Sequence, residues 1–244
     1  MIPLRDNIVQ TRPPVVVYTL IAMNAAVFLV MLLMPKAMMI ETVYHYGLVP
    51  RHYFAPSWDM HYGSSPESYW PFLTATFIHG GWMHIIFNMW TLYIFGSTLE
   101  VRFGPVLFLV FYLCCAVASM FSHAYFYPLS TAPVIGASGA IAGLIGAYAL
   151  TFSRARITIL IPFFFISLIF SIPALAFAAI WFLFQVMQGV WTALSPSVGD
   201  SVAWWAHVGG FLTGLILLPI FLLLAPARAM QYRWHRDPWN TTDH

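Results

Sequence analysis

Six long apolar stretches constrain this chain more than any other feature of its sequence. They cover approximately residues 15–33, 77–97, 105–125, 134–152, 174–191 and 202–224. An apolar helix of about 20 residues, rising about 1.5 Å per residue, crosses the hydrocarbon core of a bilayer. Only 7% of the 244 residues are charged, whereas soluble domains carry about 25%. The sequence therefore predicts an all-α membrane protein, a bundle of six transmembrane helices.

A further apolar stretch, residues 157–172, is ambiguous because it contains Pro162 and stops at Pro173. The basic residues decide its interpretation. With six spans and a cytoplasmic N-terminus, the cytoplasmic side holds Arg5, Arg12, Arg102, Arg154, Arg156, Arg228, Arg233 and Arg236, and the other side holds Lys36 and Arg51. A seventh span would move the last three arginines outside, against the positive-inside rule. We therefore predict that 157–172 is an interfacial or re-entrant segment at the cytoplasmic face, and that both termini are cytoplasmic.

The domain organisation follows from these spans. We predict a cytoplasmic lead-in at residues 1–14, one membrane domain at 15–224 and a cytoplasmic tail at 225–244. The first loop, at about 36–70, is rich in aromatic residues and is predicted to rest on the bilayer surface. The net charge of +2, without a basic patch, predicts no nucleic-acid partner.

Polar residues of the second, fourth and sixth spans are predicted to lie at one depth. These spans all run from outside to inside, so a residue five or six positions into each lies roughly 8–9 Å below the outer surface. The residues concerned are His79, His84, Asn88, Ser138 and His207. Each one alone has a structural alternative, which is hydrogen bonding or close packing between helices. Together they are candidates for function, because ionisable groups are rare inside membrane spans.

The chemistry that these residues suit is nucleophilic catalysis by a serine. His84 and Asn88 are four residues apart and share a helix face, so both could donate to a developing oxyanion. A serine nucleophile also needs a base within about 2.6–3.2 Å. Small residues would let the fourth and sixth helices approach closely enough for that, namely Gly136, Gly139, Gly143, Gly210 and Gly214.

The orientation of the base is less clear from the sequence. No acidic residue lies at the depth of His207, because Glu100 is at the far end of the second span. We therefore expect a Ser138–His207 dyad. Glu100, with Gly104 following it, is predicted to form a structural cap or junction near the cytoplasmic face.

The residues singled out so far match the motifs of a known family, and the chain resembles the rhomboid intramembrane serine proteases from about residue 15 to 224. The matching patterns are His79-x-x-x-x-His84-x-x-x-Asn88, Glu100-x-x-x-Gly104, Gly136-Ala137-Ser138-Gly139 and Ala206-His207-x-x-Gly210-x-x-x-Gly214. The resemblance implies that Ser138 is the nucleophile and His207 the general base. It places His84, Asn88 and the Ser138 backbone N–H in the oxyanion hole.

The same resemblance implies the substrates and the location. Rhomboid proteases cleave transmembrane segments of membrane proteins and need no metal or cofactor. We therefore expect transmembrane protein substrates, and a multi-pass protein of the bacterial inner membrane. Two alternatives stay open: a catalytically inactive rhomboid-like protein that binds transmembrane clients, and a proton-coupled transporter built around His84 and His207. The presence of both Ser138 and His207 argues against the first, and the lack of an internal repeat argues against the second.

Two positions depart from the pattern of many bacterial rhomboids. Trp70 is followed by Pro71, where many members have arginine. An interaction of that arginine in the first loop is therefore not expected at this position. Ala142 stands where many members have an aromatic residue that stacks on the catalytic histidine. Another group must then hold the imidazole of His207, or it is held less firmly.

Overall fold

The chain is mostly helical, as the sequence predicts. The computed structural model describes residues 1–10, 12–55, 68–163, 166–194, 202–225 and 233–234. The helices are α1 (Val15–Leu32), α2 (Lys36–Tyr46), α3 (Arg51–Phe54), α4 (Pro71–Thr74), α5 (Trp82–Thr91), α6 (Ser97–Phe103), α7 (Pro105–Phe126), α8 (Ser138–Thr151), α9 (Ala174–Leu194) and α10 (Trp204–Leu224). The strands are β1 (Ile2–Asp6), β2 (Ile8–Val9), β3 (Arg156–Phe163), β4 (Ile166–Pro173) and β5 (Arg233–Trp234).

Among the described residues, four helices are long and apolar enough to cross a membrane: α1, α7, α9 and α10. The predicted second span starts later than expected, because the chain at Gly80 and Gly81 is not helical. Its helical run continues from α5 through a π-helical turn, Leu92–Gly96, into α6. The predicted first loop, about 36–70, also contains helices, since α2 and α3 lie within it.

The predicted fourth span is shorter than expected. Helix α8 has 14 residues, a length of about 21 Å, which is less than the hydrocarbon core of a typical bilayer. The chain before it is extended, and Val134 forms an isolated β-bridge with Leu48. Ser138 is therefore the first residue of its helix, whereas the sequence predicted a position several residues inside the span.

Residues 157–172 form most of a β-hairpin, which the sequence analysis did not predict. Strands β3 and β4 pair antiparallel from Arg156↔Pro173 to Phe163↔Ile166, and β1 pairs with the other edge of β3. The run is rich in β-branched residues, and Pro162 cannot donate a helical hydrogen bond. The predicted all-α class thus omits a three-stranded sheet, and the predicted lead-in at 1–14 supplies one of its strands.

Strand β1 is tied to three helices by side-chain hydrogen bonds. Trp90 of α5 donates from its indole nitrogen to the Pro3 carbonyl at 2.7 Å. The Asp6 carboxylate accepts from the Tyr148 hydroxyl of α8 at 2.8 Å and from the Thr98 hydroxyl of α6 at 3.1 Å. Burial raises the pKa of the Asp6 carboxyl above its ordinary value, and these two hydroxyls partly oppose that shift. The sheet therefore holds one end of the helices together.

Glu100 links α6 to the beginning of α1. Its two carboxylate oxygens accept hydrogen bonds from the backbone N–H groups of Val16 at 2.9 Å and Val17 at 2.8 Å. The first N–H groups of a helix have no acceptor within the helix, and the helix dipole favours a negative charge there. Gly104, with a φ of 84°, then turns the chain from α6 into α7. Glu100 is buried and acts as a cap for α1.

Helices α7, α8 and α10 pack closely because their contact positions have small residues. A Cβ built on Gly210 would overlap the Gly139 carbonyl oxygen, and one on Gly214 would overlap the Gly143 carbonyl oxygen. A Cβ built on Gly139 would likewise overlap the Ser119 side chain of α7. This spacing brings the first turns of α8 and α10 together.

Candidate active site

Ser138 and His207 lie within hydrogen-bond distance of each other. The Ser138 Oγ and the His207 Nε2 are 2.7 Å apart. Ser138 opens α8 and His207 lies in the first turn of α10, so the close packing of these two helices sets the distance. His207 is 9% exposed. A neutral imidazole at this distance can accept the serine proton.

The other ring nitrogen of His207 has a partner that the sequence analysis missed. His207 Nδ1 lies 2.7 Å from Oε1 of Gln185, a residue of α9 that is 4% exposed. A carboxamide oxygen only accepts, so Nδ1 carries the proton and Nε2 is free to accept one. The rings of Trp181 and Trp204 lie nearby, with centroids 5.9 Å and 6.1 Å from that of His207. With Ala142 in place of an aromatic residue, these groups hold the imidazole.

Helix α5 places two side-chain donors beside Gly136, two residues before Ser138. A Cβ built on Gly136 would lie 2.6 Å from His84 Nε2 and 3.6 Å from Asn88 Nδ2. Gly136 also has a φ of 117°, which residues with a side chain rarely adopt. Glycine is required here both for its backbone conformation and for the approach of His84.

Both side chains present a donor. The N–H of Gly80 makes a long hydrogen bond of 3.4 Å to His84 Nδ1, which puts the proton of the neutral ring on Nε2. Asn88 Nδ2 is buried and has no acceptor among the described residues. A buried donor without a partner carries a free-energy cost, and such groups are concentrated at functional sites.

The backbone adds a third donor. Because Ser138 is the first residue of α8, its N–H has no acceptor within the helix and lies at the positive end of the helix dipole. His84 and Asn88 thus lie beside Gly136, two residues before this N–H in the chain. Such a group of fixed donors can stabilise a negative oxygen.

His79 lies outside α5, in the turn before it, whereas the sequence placed it in the second span. It is buried, and its ring packs edge-on against His84 with centroids 5.0 Å apart. The structure therefore places His79 directly beside His84. Among the residues that the structure describes, no three His, Cys, Asp or Glu side chains are grouped as metal ligands.

A cavity of about 290 Å³ lies at the end of the bundle where α8 and α10 begin. The polar side chains that line it are those of His84, His123, Tyr127, Ser130 and Thr192. His123, to which the sequence analysis assigned no role, is a buried residue of α7. His45 and His52, also unassigned, lie on α2 and α3, and His61 is outside the described residues. The cavity gives water a place next to one of the side-chain donors.

Comparisons with known proteins identify the family. The Rhomboid domain family matches residues 66–224, which contain all the site residues described above. RHOMBOID-like protein 6, mitochondrial, of Arabidopsis thaliana is 32% identical over 63% of this chain and 44% of its own length. Rhomboid protein 1, mitochondrial, of Saccharomyces cerevisiae is 27% identical over 85% of this chain and 53% of its own length.

A bacterial relative covers a similar share of this chain. Rhomboid protease GlpG of Haemophilus influenzae is 26% identical over 64% of this chain and 73% of its own length. The chain spans about half the length of the two mitochondrial relatives. The family match covers well over half of the chain, and its apolar helices are those of an integral membrane protein. The chain belongs to the rhomboid family.

Proposed function

We propose that this protein is an intramembrane serine endopeptidase that cleaves transmembrane segments of membrane-protein substrates. The observation that carries the proposal is the 2.7 Å distance between Ser138 Oγ and His207 Nε2. The position of His84 and Asn88 beside Gly136, two residues before Ser138, supports it. Membership of the rhomboid family supports it, as does the similarity to relatives named as proteases.

In the proposed mechanism, Ser138 Oγ attacks the scissile carbonyl carbon while His207 Nε2 takes the hydroxyl proton. The Ser138 N–H, His84 Nε2 and Asn88 Nδ2 donate to the oxyanion that forms. Collapse of this intermediate breaks the C–N bond, and His207 gives its proton to the leaving amine. Water then attacks the resulting ester with His207 again as base, which releases the acid and restores Ser138. The cavity beside His84 is the proposed source of that water.

We propose six membrane spans with both termini in the cytoplasm. The helical run from α5 through α6 and the short helix α8 would add two passes to the four long helices. The distribution of arginines supports this orientation. The proposed orientation places the active site near the outer surface. Reporter domains fused to each end, tested for protease protection in sealed vesicles, would decide the orientation. A bacterial inner membrane stays our prediction, since the relatives include bacterial and mitochondrial proteins.

The dyad is tested by expressing the protein with a single-pass membrane substrate and comparing variants. We expect Ser138→Ala and His207→Ala to abolish cleavage, and Ser97→Ala, which changes a buried serine of α6, to keep it. A serine-directed phosphonate should label the wild type and Ser97→Ala but not Ser138→Ala. Undiminished cleavage by Ser138→Ala would overturn the proposal. Binding of the substrate without cleavage by the wild type would favour the inactive, client-binding alternative.

The oxyanion donors are tested by His84→Phe and Asn88→Leu. Losing one such donor typically lowers turnover by about 10²- to 10³-fold, and the effect falls on kcat because the donors act on the transition state. If both single variants and the double variant cleave at the wild-type rate, these side chains have no part in the reaction.

A further inference from the structure

We propose that Gln185 is the positioning residue for His207, so that a neutral carboxamide does the orienting work for which other serine proteases use a carboxylate. The inference rests on the proposed function, because a positioning residue has meaning only if His207 is the base. It adds a third residue, from a third helix, to the dyad that the sequence predicts.

The geometry supports a specific role for Gln185. Its Oε1 lies 2.7 Å from His207 Nδ1, on the side of the ring opposite Ser138. Both residues are buried, so water does not readily replace this hydrogen bond. A ring nitrogen bonded to an acceptor carries the proton, which leaves the other nitrogen as the base. Gln185 thus selects the one neutral tautomer of His207 that can accept the Ser138 proton.

A neutral partner also suits the location. A carboxylate buried among apolar helices has a large desolvation cost unless it is well compensated, whereas a carboxamide has a much smaller one. Glu100, a buried carboxylate described in this bundle, is already bonded to the backbone of α1. Among the residues that the structure describes, the ionisable side chains that act electrostatically on His207 are His84 of α5 and His123 of α7. Gln185 therefore orients the base without adding a charge.

A purely steric role for Gln185 is the competing explanation. Trp181 lies one turn earlier on α9 and packs against both His207 and Phe211, so this helix face also fills space around the imidazole. If Gln185 only filled space, a leucine of similar size would serve equally well. If it positions the base, the leucine removes the acceptor and the tautomer is no longer selected.

The test compares Gln185→Leu and Gln185→Glu with the wild type, and uses Gln188→Leu as the matched control. Gln188 lies three residues further along α9 and is half-buried, so the control makes the same chemical change on the same helix, at a residue that is not the partner of His207 Nδ1. We expect Gln185→Leu to lower kcat by about 10- to 100-fold with KM unchanged, a loss of the size found when the partner that orients a metal-binding histidine is removed. Gln188→Leu should match the wild type, and thermal unfolding in detergent should show all variants folded.

The Gln185→Glu variant and a spectroscopic measurement separate positioning from packing. The glutamate restores an acceptor and, as a carboxylate, favours the imidazolium, so it should recover activity and move the acidic limb of the pH–rate profile. Solid-state NMR of ¹⁵N-labelled histidine should find the His207 proton on Nδ1 in the wild type. In Gln185→Leu, the Nε2-protonated form should appear.

The outcomes distinguish this inference from the proposed function. Wild-type kcat for Gln185→Leu, or a wild-type His207 with its proton on Nε2, would overturn the inference and leave the protease proposal standing. Absence of cleavage and of Ser138 labelling in the wild type would overturn the protease proposal, and the inference with it. If Gln185→Leu fails to fold, the wild-type NMR spectrum and the Gln185→Glu profile decide the matter. A pH–rate profile of Gln185→Glu that is identical to that of the wild type would then count against a positioning role for Gln185.

Discussion

Replacing Glu100 should detach the start of α1 from α6. The Glu100 carboxylate accepts hydrogen bonds from the N–H groups of Val16 and Val17, and the residue is 4% exposed. Glu100→Ala would remove both acceptors and leave two backbone donors without a partner. Glu100→Gln would keep the shape and one acceptor oxygen but lose the charge.

The expected magnitudes follow from these two contacts. A hydrogen bond to a charged group contributes about 1.5–3 kcal/mol, so Glu100→Ala should lower the free energy of unfolding by roughly 3–6 kcal/mol. Glu100→Gln should cost about half of that, since one hydrogen bond and the interaction of the charge with the helix dipole are lost. The value for Glu100→Ala is large, because most point mutations cost about 0.5–3 kcal/mol, and that for Glu100→Gln lies in the upper part of this range.

The measurement is reversible unfolding in mixed detergent micelles, with Glu41→Gln of α2 as the control. Glu41 is exposed, so its variant should stay within about 0.5 kcal/mol of the wild type. Hydrogen exchange at the Val16 and Val17 amides should also become faster in both Glu100 variants. A Glu100→Ala protein as stable as Glu41→Gln, with protected amides at Val16 and Val17, would refute the assignment of Glu100 as the cap of α1.

Two further predictions concern packing and pH. Gly210→Ala would drive a Cβ into the Gly139 carbonyl, so it should destabilise the protein by about 1–3 kcal/mol or more, whereas Gly81→Ala, whose Cβ would meet no atom within 4 Å, should change little. Unfolding measurements on both variants check this, and equal stabilities would contradict it. The second prediction concerns Asp6, whose pKa is raised on folding, so the folded protein binds more protons than the unfolded one. Stability should therefore fall as pH rises from the ordinary value of 3.8 through the folded-state pKa. Asp6→Asn should remove this pH dependence in unfolding curves taken between about pH 4 and about pH 7, and an unchanged slope would count against it.

The neighbourhood of Ser138 was largely predictable because it depends on residue types with few alternative uses. A histidine in an apolar helix is costly and therefore informative, and glycines at a spacing of four residues predict close helix approach. The short distance between Ser138 and His207 is consistent with the histidine in an apolar helix and with the glycine spacing. The sequence could not place Ser138 at the first position of α8, because the extended chain before it is as apolar as a helix.

Gln185 was missed because its signal is ambiguous. A glutamine in an apolar helix suggests a buried hydrogen bond, but α9 contains Gln188 as well, and spacing alone does not say which of them faces α10. Four residues separate Trp181 from Gln185, so the two share a helix face. If the sequence had shown that Trp181 lies next to His207, it would also have pointed to Gln185.

The β-hairpin was missed for a different reason. In a chain this apolar, a segment such as 157–172 is first considered as a membrane span. The positions of the basic residues argued against a span, but they did not indicate a β-strand. The signal was present in its β-branched residues, in Pro162 and in the polar pair Thr158 and Ser171, which face each other across the hairpin. The partner strand β1 could not be found by spacing, because it lies so far away in the sequence.

That separation sets the order in which the molecule can be completed during synthesis. Ile2 pairs with Leu160, so β1 must wait until the whole stretch between them has been translated. At about 5–20 residues per second, the delay is on the order of 10–30 s, far longer than helix formation takes. Throughout that time the backbone of residues 2–6 has no partner strand. Helices α5, α6 and α8 then lack the hydrogen bonds that Trp90, Thr98 and Tyr148 make to β1. Strand β1 thus reaches its final position long after it has been translated, and only once β3 is present to pair with it.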